Sequence, residues 1–127
     1  MQLVRRLRGI VAVGLLLTIV STTTAKYSGG TGEPNDPYQI ATAADLMALG
    51  NEPNDYDKHF ILTADIDLDP KLPGRRVFDR AAIAPDVNDA TWHWFGGTPF
   101  TGVFDGKGHT ISHLTIQGGS WLRANAS

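Results

Sequence analysis

The sequence of 127 residues contains no cysteine. This absence excludes disulfide bonds, thiolate metal sites and thiol nucleophiles, even in an exported compartment where disulfides can form. Stability must therefore come from buried apolar surface, which is limited in a chain of this size.

The chain also lacks a surplus of positive charge. It has 11 basic and 13 acidic residues and a net charge of −2. Arg5, Arg6 and Arg8 lie in an N-terminal segment whose removal would make the remainder still more acidic. No basic run or basic amphipathic helix offsets this acidity. The charge therefore argues against nucleic acid and anionic membranes as partners.

A long hydrophobic run is missing as well. The apolar stretch Ile10–Val20 has 11 residues, whereas a helix needs roughly 20 to cross a bilayer. It follows the three arginines and precedes the small residues of Ser21–Ala25, which suit signal peptidase. This order predicts a secretory signal cleaved after Ala25, with an uncleaved membrane anchor as the alternative. The membrane is then contacted only through the signal, and one small domain remains.

The first predicted elements of that domain are a short strand and a short helix. Residues 26–37 are rich in glycine, proline and polar side chains and predict a flexible lead-in. A strand over Tyr38–Ile40 follows. Thr42 then suits a helix N-cap, Asp45 suits the third helical position, and Gly50 suits the stop. The helix would present an apolar stripe made of Ala43, Leu46 and Met47.

The clearest strand pattern runs over Phe60–Leu68, where apolar residues occupy every even position. Pro70 ends it because proline cannot donate to the ladder. Residues 70–99 lack a sustained period and predict an irregular excursion with a short strand or two. A glycine turn follows at Phe104–His109. The change of parity between Ile111 and Leu114 then predicts a corner between two short strands.

Four segments carry a family resemblance. They are, in chain order, Tyr27–Gly32, Pro37–Leu46, Phe60–Leu68 and Phe100–Ile116. Together they resemble the N-terminal end of secreted bacterial right-handed parallel β-helix proteins, which often carry GLUG-motif repeats and are pectate-lyase-like (pectin lyase-like) in shape. The resemblance covers nearly all of residues 27–122.

The resemblance implies a mostly β chain that forms the capped N-terminal end of a right-handed parallel β-helix, preceded by a signal-peptide helix. The short helix would cover the end of the solenoid, and the following strands would form its first coils. The implied organisation is a signal peptide at 1–25, the lead-in at 26–37, capped first coils at 38–122 and a divergent or truncated tail at 123–127.

The sequence departs from this family after Leu122, where relatives would continue into further coils. Here Arg123–Ser127 closes the chain, which predicts a fragment or a truncated reading frame. Because solenoid units need roughly three or more neighbours for stability, the isolated product is expected to be marginally stable or to self-associate at the open solenoid end.

The acidic run Asp65, Asp67 and Asp69 is the first candidate site. Alternation places Asp65 and Asp67 on one strand face, where a hard cation such as calcium could bridge them. The rest of an EF-hand loop is absent, since Pro70 stands where glycine is needed and Arg76 where glutamate belongs. The alternative is a solvated polar strand face that needs no ligand.

Two further groups of residues are candidates for chemistry. Asp65, Asp67 and Asp105 could act as acid and base on a glycan, although an aspartate before a turn glycine, as Asp105 is, more often bonds the backbone. His109 and His113 are four apart, which on a helix would suggest a metal pair, but on a strand this spacing separates them by about 13 Å and favours histidines at the core edge or the surface.

The aromatic cluster around Trp92 and Trp94 is the last candidate. These two residues share strand parity and could stack sugar rings. The alternative is that the rings pack the excursion onto the body of the domain.

Taken together, the sequence favours an exported, non-enzymatic structural or adhesive module, secreted or at the cell surface and truncated from a larger protein. Its partners would be an extracellular glycan or a surface protein. No catalytic residue is assigned, and no cofactor is expected apart from calcium. The alternative is the N-terminal part of a β-helix polysaccharide lyase or glycoside hydrolase whose catalytic coils lie beyond Ser127.

Overall fold

The computed structural model describes residues 18–19, 24–87 and 94–118. Most of the predicted signal segment, Trp92 and the tail at 123–127 lie outside these residues. The described elements are β1 (Tyr38–Ile40), α1 (Ala43–Gly50), a 3-10 turn (Pro53–Asp55), β2 (His59–Leu62), β3 (Ile66–Asp67), β4 (Val103–Asp105) and β5 (Ile111–Ser112).

The strands form two small parallel sheets. The first has the order β1-β2-β4, and its register places Tyr38 beside Phe60 and Phe60 beside Phe104. The second pairs β3 with β5, with Ile66 beside Ile111. Parallel pairing requires a crossover between partners, and the crossover from β1 to β2 contains α1 and the 3-10 turn.

The predicted helix is confirmed together with its capping. Thr42 accepts a hydrogen bond from the Asp45 backbone N–H at 3.1 Å, and the Asp45 side chain accepts from the Thr42 backbone N–H at 3.2 Å. The apolar stripe was predicted in part. Ala43 and Leu46 are buried, but Met47 is only half-buried, and Leu49 is the third buried residue of the helix.

The predicted strand over Phe60–Leu68 is interrupted. Strand β2 ends at Leu62 and β3 begins at Ile66, so that residues 63–65 form a bend between the two sheets. The predicted alternation of burial holds on both sides of the bend, since Phe60, Leu62, Ile66 and Leu68 are buried, whereas Ala64 within the bend is only half-buried. Alternation reports which side chains face the core, and it carries no information on whether the backbone stays in one ladder.

The core lies between the helix and the two sheets. Its buried residues are Tyr27, Ile40, Ala43, Leu46, Leu49, Tyr56, Phe60, Leu62, Ile66 and Leu68. The Phe60 ring is central, with ring centroids of Tyr38 at 5.4 Å, Phe100 at 6.0 Å and Phe104 at 6.2 Å. Aromatic rings at these spacings add to the stabilisation that burial alone supplies.

The expected mostly β solenoid is wrong. The described strands have two to four residues each and belong to two separate small sheets, and no solenoid is present in the described part of the chain. Residues 70–87 and 94–99 contain no strand and only one bridge, between Phe78 and Ile116. The expected corner after Ile111 does exist, because β5 ends at Ser112 and His113 has a positive φ of 55°. A local corner is therefore not evidence of a repeating coil.

The lead-in contributes to the core, which the sequence did not indicate. Tyr27 is buried, and residues 28 and 29 exchange backbone hydrogen bonds with Gln39 on β1. The chain then turns at Gly30, whose φ is 79°. A Cβ at this position would lie 1.9 Å from the Pro37 carbonyl oxygen, so the close approach requires glycine.

Candidate functional site

The structure brings the acidic run into contact with His109 and His113, which belong to a distant segment of the sequence. His109 Nδ1 lies 3.2 Å from Asp65 Oδ1, and His113 Nδ1 lies 2.8 Å from Asp67 Oδ1. The parallel register of β3 with β5 brings these side chains together from positions 44 and 46 residues apart. No local motif in the sequence could have signalled this pairing.

Each aspartate of the run is also bound to the backbone. The Oδ1 atom of Asp65 accepts from the Thr110 N–H at 3.0 Å, that of Asp67 from the Asp69 N–H at 2.9 Å, and that of Asp69 from the Lys71 N–H at 3.0 Å. Such local bonds to aspartate are common in turns. The run therefore ends β3 and fixes the chain that follows it.

These contacts keep the carboxylates ionised. Hydrogen bonds from the Thr110 backbone and then from His109 lower the pKa of Asp65, and bonds from the Asp69 backbone and then from His113 lower the pKa of Asp67. The pKa of Asp105 is lowered as well, first by the Lys107 backbone N–H and then by the Lys107 side chain. A general acid that protonates a glycan needs a raised pKa, whereas the pKa values of these three aspartates are lowered. Asp105 also lies on β4 of the first sheet, whereas Asp67 lies on β3 of the second.

The arrangement of possible metal ligands bears on the predicted calcium site. Among residues 18–19, 24–87 and 94–118, no group of three or more histidine, aspartate or glutamate side chains is placed to hold a metal ion. Calcium binding by Asp65, Asp67 and Asp69 stays a prediction from the sequence.

A second candidate site is an open cleft of about 330 Å³ between the end of α1 and the excursion. Its lining residues are Gly50, Asn51, Pro53, Tyr56, Pro85, Val87, Gly96, Gly97 and Thr98. Next to it in the chain stand Trp94, whose side chain is 77% exposed, and Phe95, which is 52% exposed. Trp94 is thus largely exposed, and the sugar-stacking and packing interpretations of the aromatic cluster both stay predictions.

Hydrogen bonds connect the residues that line this cleft to the core residue Tyr56 and to one another. Tyr56 donates a hydrogen bond from its hydroxyl to the Gly50 carbonyl at 2.8 Å and accepts one from the Ala84 N–H at 3.1 Å. Ala84 has a φ of 50°, which is unfavourable for a residue with a Cβ. The Gly96 N–H donates to Asp86 Oδ1 at 3.0 Å. Tyr56 thus positions two walls of the cleft. No pattern in the sequence predicted this role for Tyr56.

A further polar cluster, in addition to the one formed by the aspartates and histidines, lies at the predicted start of the mature chain. The Tyr27 hydroxyl donates to Asp55 Oδ2 at 2.8 Å, and Lys26 Nζ contacts Asp55 at 2.8 Å and also Glu52. Burial, followed by the bond to Asp55, raises the pKa of the Tyr27 hydroxyl. The bonds to Asp55 and Glu52 raise the pKa of Lys26. Asp55, a buried carboxylate, therefore has two donors.

No helix among the described residues combines the length and apolar character that crossing a bilayer requires.

Comparison with known proteins identifies a relative that matches part of the chain. No family model matches the chain, and no solved structure matches it. The chain is similar to Halomucin of Haloquadratum walsbyi, with 38% identity over 97 residues that cover 73% of this chain. The matched part is about 1% of the length of Halomucin. The chain is thus similar to a small part of a very large protein.

Proposed function

We propose that this chain is an exported, non-enzymatic binding module of the cell surface or the extracellular space, and that it binds a glycan at the cleft beside Trp94. The similarity to Halomucin supports a secreted or cell-surface protein. The N-terminal arginines, the short apolar stretch and the small residues before Lys26 support the same location.

The exposure of Trp94 is the observation that carries the proposal. Leaving a large apolar side chain in water forgoes about 2 kcal/mol or more of favourable burial. Trp94 and Phe95 are both exposed and directly precede Gly96 and Gly97, which line the open cleft, so a ligand bound there can recover that burial. Flat aromatic faces suit the apolar faces of sugar rings. The Pro53 and Pro85 rings add apolar walls to the cleft.

The acidic residues favour binding over catalysis. Asp65 and Asp67 are held by backbone N–H groups and histidines, and their lowered pKa values leave them without a proton to donate at neutral pH. Asp105 is bound to Lys107. No specific observation favours a lyase or a hydrolase.

The test is binding of the secreted protein to a panel of extracellular polysaccharides, measured by affinity electrophoresis and by tryptophan fluorescence. Trp94→Ala is expected to weaken binding by roughly fivefold to tenfold, which is about 1 kcal/mol of stacking. Trp94→Phe should retain most of the affinity because it keeps an aromatic face. Leu114→Ala, at an exposed position outside the cleft lining, is the matched control.

Equal binding by wild type and Trp94→Ala would contradict the proposal. Binding to surface proteins, with no binding to any polysaccharide, would assign the cleft to a protein partner instead. Release of reducing ends that is lost in Asp65→Asn would favour an enzyme.

A further inference from the structure

We infer that the Ala25–Lys26 bond is accessible to signal peptidase only before residues 26–29 dock on the core, so that processing of this chain must precede its folding. The inference rests on the export signal of the proposed function. Thr24 and Ala25 are exposed, whereas Tyr27, two positions beyond the bond, is only 4% exposed. The folded core therefore begins almost at the bond to be cut.

The Tyr27 side chain is held on several sides. Its ring centroid lies 4.7 Å from that of Tyr38 and 5.6 Å from that of Phe60. Its hydroxyl donates to Asp55 at 2.8 Å. Removing Tyr27 from this place exposes the ring and leaves a buried carboxylate with one donor fewer, and both changes are unfavourable.

The backbone after Tyr27 is held as well. The Ser28 N–H donates to the Gln39 carbonyl at 3.1 Å, and the Gln39 N–H donates to the Gly29 carbonyl at 2.8 Å. The Ser28 hydroxyl donates to Asp45, the same side chain that caps α1. Residues 28 and 29 thus cover the outer edge of β1 and are coupled to the start of the helix.

A protease cleaves within a folded segment only after local opening, because residues on both sides of the scissile bond must enter its cleft. Cleavage after Ala25 places Lys26 and Tyr27 in that cleft. In the folded chain, Lys26 is bound to Glu52 and Asp55, and Tyr27 is in the core. Cleavage of the folded precursor then requires local opening, and its rate follows the small population of the opened form.

The experiment compares the folded full-length precursor, in detergent with purified signal peptidase, with a variant that carries a duplicated junction. The variant has an extra Lys-Tyr-Ser-Gly followed by a flexible Gly-Ser spacer, inserted between Ala25 and Lys26. The residues around the scissile bond are then unchanged, while the native Lys26–Gly29 segment can stay docked. Mass spectrometry identifies the new N-terminus, and circular dichroism verifies that both precursors are folded.

The duplicated variant is expected to be cut at least about a hundredfold faster than the folded wild-type precursor, because it needs no opening of the core. Phe60→Ala, which loosens the core without altering the junction, should also accelerate cleavage. Equal rates for the folded wild type and the duplicated variant would overturn the inference. If the duplicated variant is not cut either, the export signal itself is absent, which overturns both the inference and the secreted location but leaves glycan binding at Trp94 unaffected.

Discussion

Asp55 connects the start of the domain to its interior through a single buried carboxylate. It accepts hydrogen bonds from Tyr27 and Lys26, and its side chain is almost inaccessible to water. A buried polar group that loses its partner costs more than the bond itself contributed, because the remaining group stays desolvated. The Tyr27 hydroxyl would be that remaining group.

Asp55→Ala is therefore expected to lower the free energy of unfolding by about 2–4 kcal/mol. Urea denaturation of the protein lacking residues 1–25, followed by circular dichroism, measures the change. Asp57→Ala, at an exposed aspartate two residues away, is the control and should change stability by less than about 0.5 kcal/mol. Equal effects of the two substitutions would show that Asp55 has no special structural role.

Asp65 and Asp67 make stability depend on pH. Their pKa values in the folded state lie below the ordinary value of 3.8. A carboxyl with a lowered folded pKa contributes stability that is present above the unfolded pKa and is lost as the pH falls through the folded pKa. The window of this effect therefore begins near pH 3.8 and extends to lower pH.

The double variant Asp65→Asn, Asp67→Asn is expected to show a shallower loss of stability across this acidic window than the wild type. Melting temperatures measured as a function of pH provide the test. Asp57→Asn, which removes an exposed charge elsewhere, should keep the wild-type slope. An unchanged slope in the double variant would mean that the contacts to Thr110, Asp69 and the histidines contribute nothing to acid stability.

The helix α1 is the element whose formation depends most on local sequence. Its eight residues are too few for a stable isolated helix, so its capping box and its buried face must both contribute. Asp45 serves three purposes, because its carboxylate accepts from the Ala41 and Thr42 N–H groups and from the Ser28 hydroxyl. The helix start is thereby linked to the segment that follows the predicted cleavage site.

Thr42→Ala is expected to destabilise the domain by about 1 kcal/mol because the Asp45 N–H loses its acceptor. Thr42→Ser keeps the hydroxyl and should stay within a few tenths of a kcal/mol of the wild type. Chemical denaturation of both variants measures the difference. A Thr42→Ser variant as unstable as Thr42→Ala would show that the threonine methyl group, and not the cap, is what matters.

Strand formation depended on contacts beyond the local pattern. β1 was predicted with its observed bounds, since Tyr38 and Ile40 alternate with the polar Gln39 directly after the turn-forming lead-in. The break between β2 and β3 was not predicted, because the alternation of residues indicates only the direction of the side chains. The bend at 63–65 arises because the two strands have different partners: β2 pairs with β1 and β4, whereas β3 pairs with β5. Pairing partners lie far along the chain, where local periodicity has no bearing.

At the scale of the whole molecule, the two sheets have one covered edge and one set of open edges. Residues 28 and 29 cover the outer edge of β1, while β3, β4 and β5 are edge strands among the described residues. The side chains on or after these edge strands include exposed apolar groups, namely Val103, Ile111, Leu114 and Ile116. Exposed edges with apolar side chains favour association with another chain.

We therefore expect the protein lacking residues 1–25 to self-associate reversibly. The sequence led to the same expectation from an open solenoid end, whereas the present argument rests on the exposed edge strands. Sedimentation velocity over a wide range of concentrations measures the association. Val103→Lys and Ile111→Lys should shift the protein towards monomer, because a charged side chain on an edge opposes pairing. Leu72→Lys, at an exposed site that belongs to no strand, is the control. A wild type that is monomeric at every concentration would contradict this expectation.

Local sequence was sufficient to predict the helix with its cap, strand β1 and the burial of Phe60, Leu62, Ile66 and Leu68, but not that Ala64, at the same parity, is only half-buried. These features depend on neighbours within a few residues, so composition and periodicity are sufficient to predict them. Only the tertiary structure shows that the strands form two short parallel sheets in place of a solenoid. It also shows that Asp65 contacts His109 and that Asp67 contacts His113. Finally, it shows that Tyr27 is buried in the core and that Trp94 is exposed. Each of these outcomes depends on which distant segments come into contact, and the free energy of those contacts is not encoded in any local pattern.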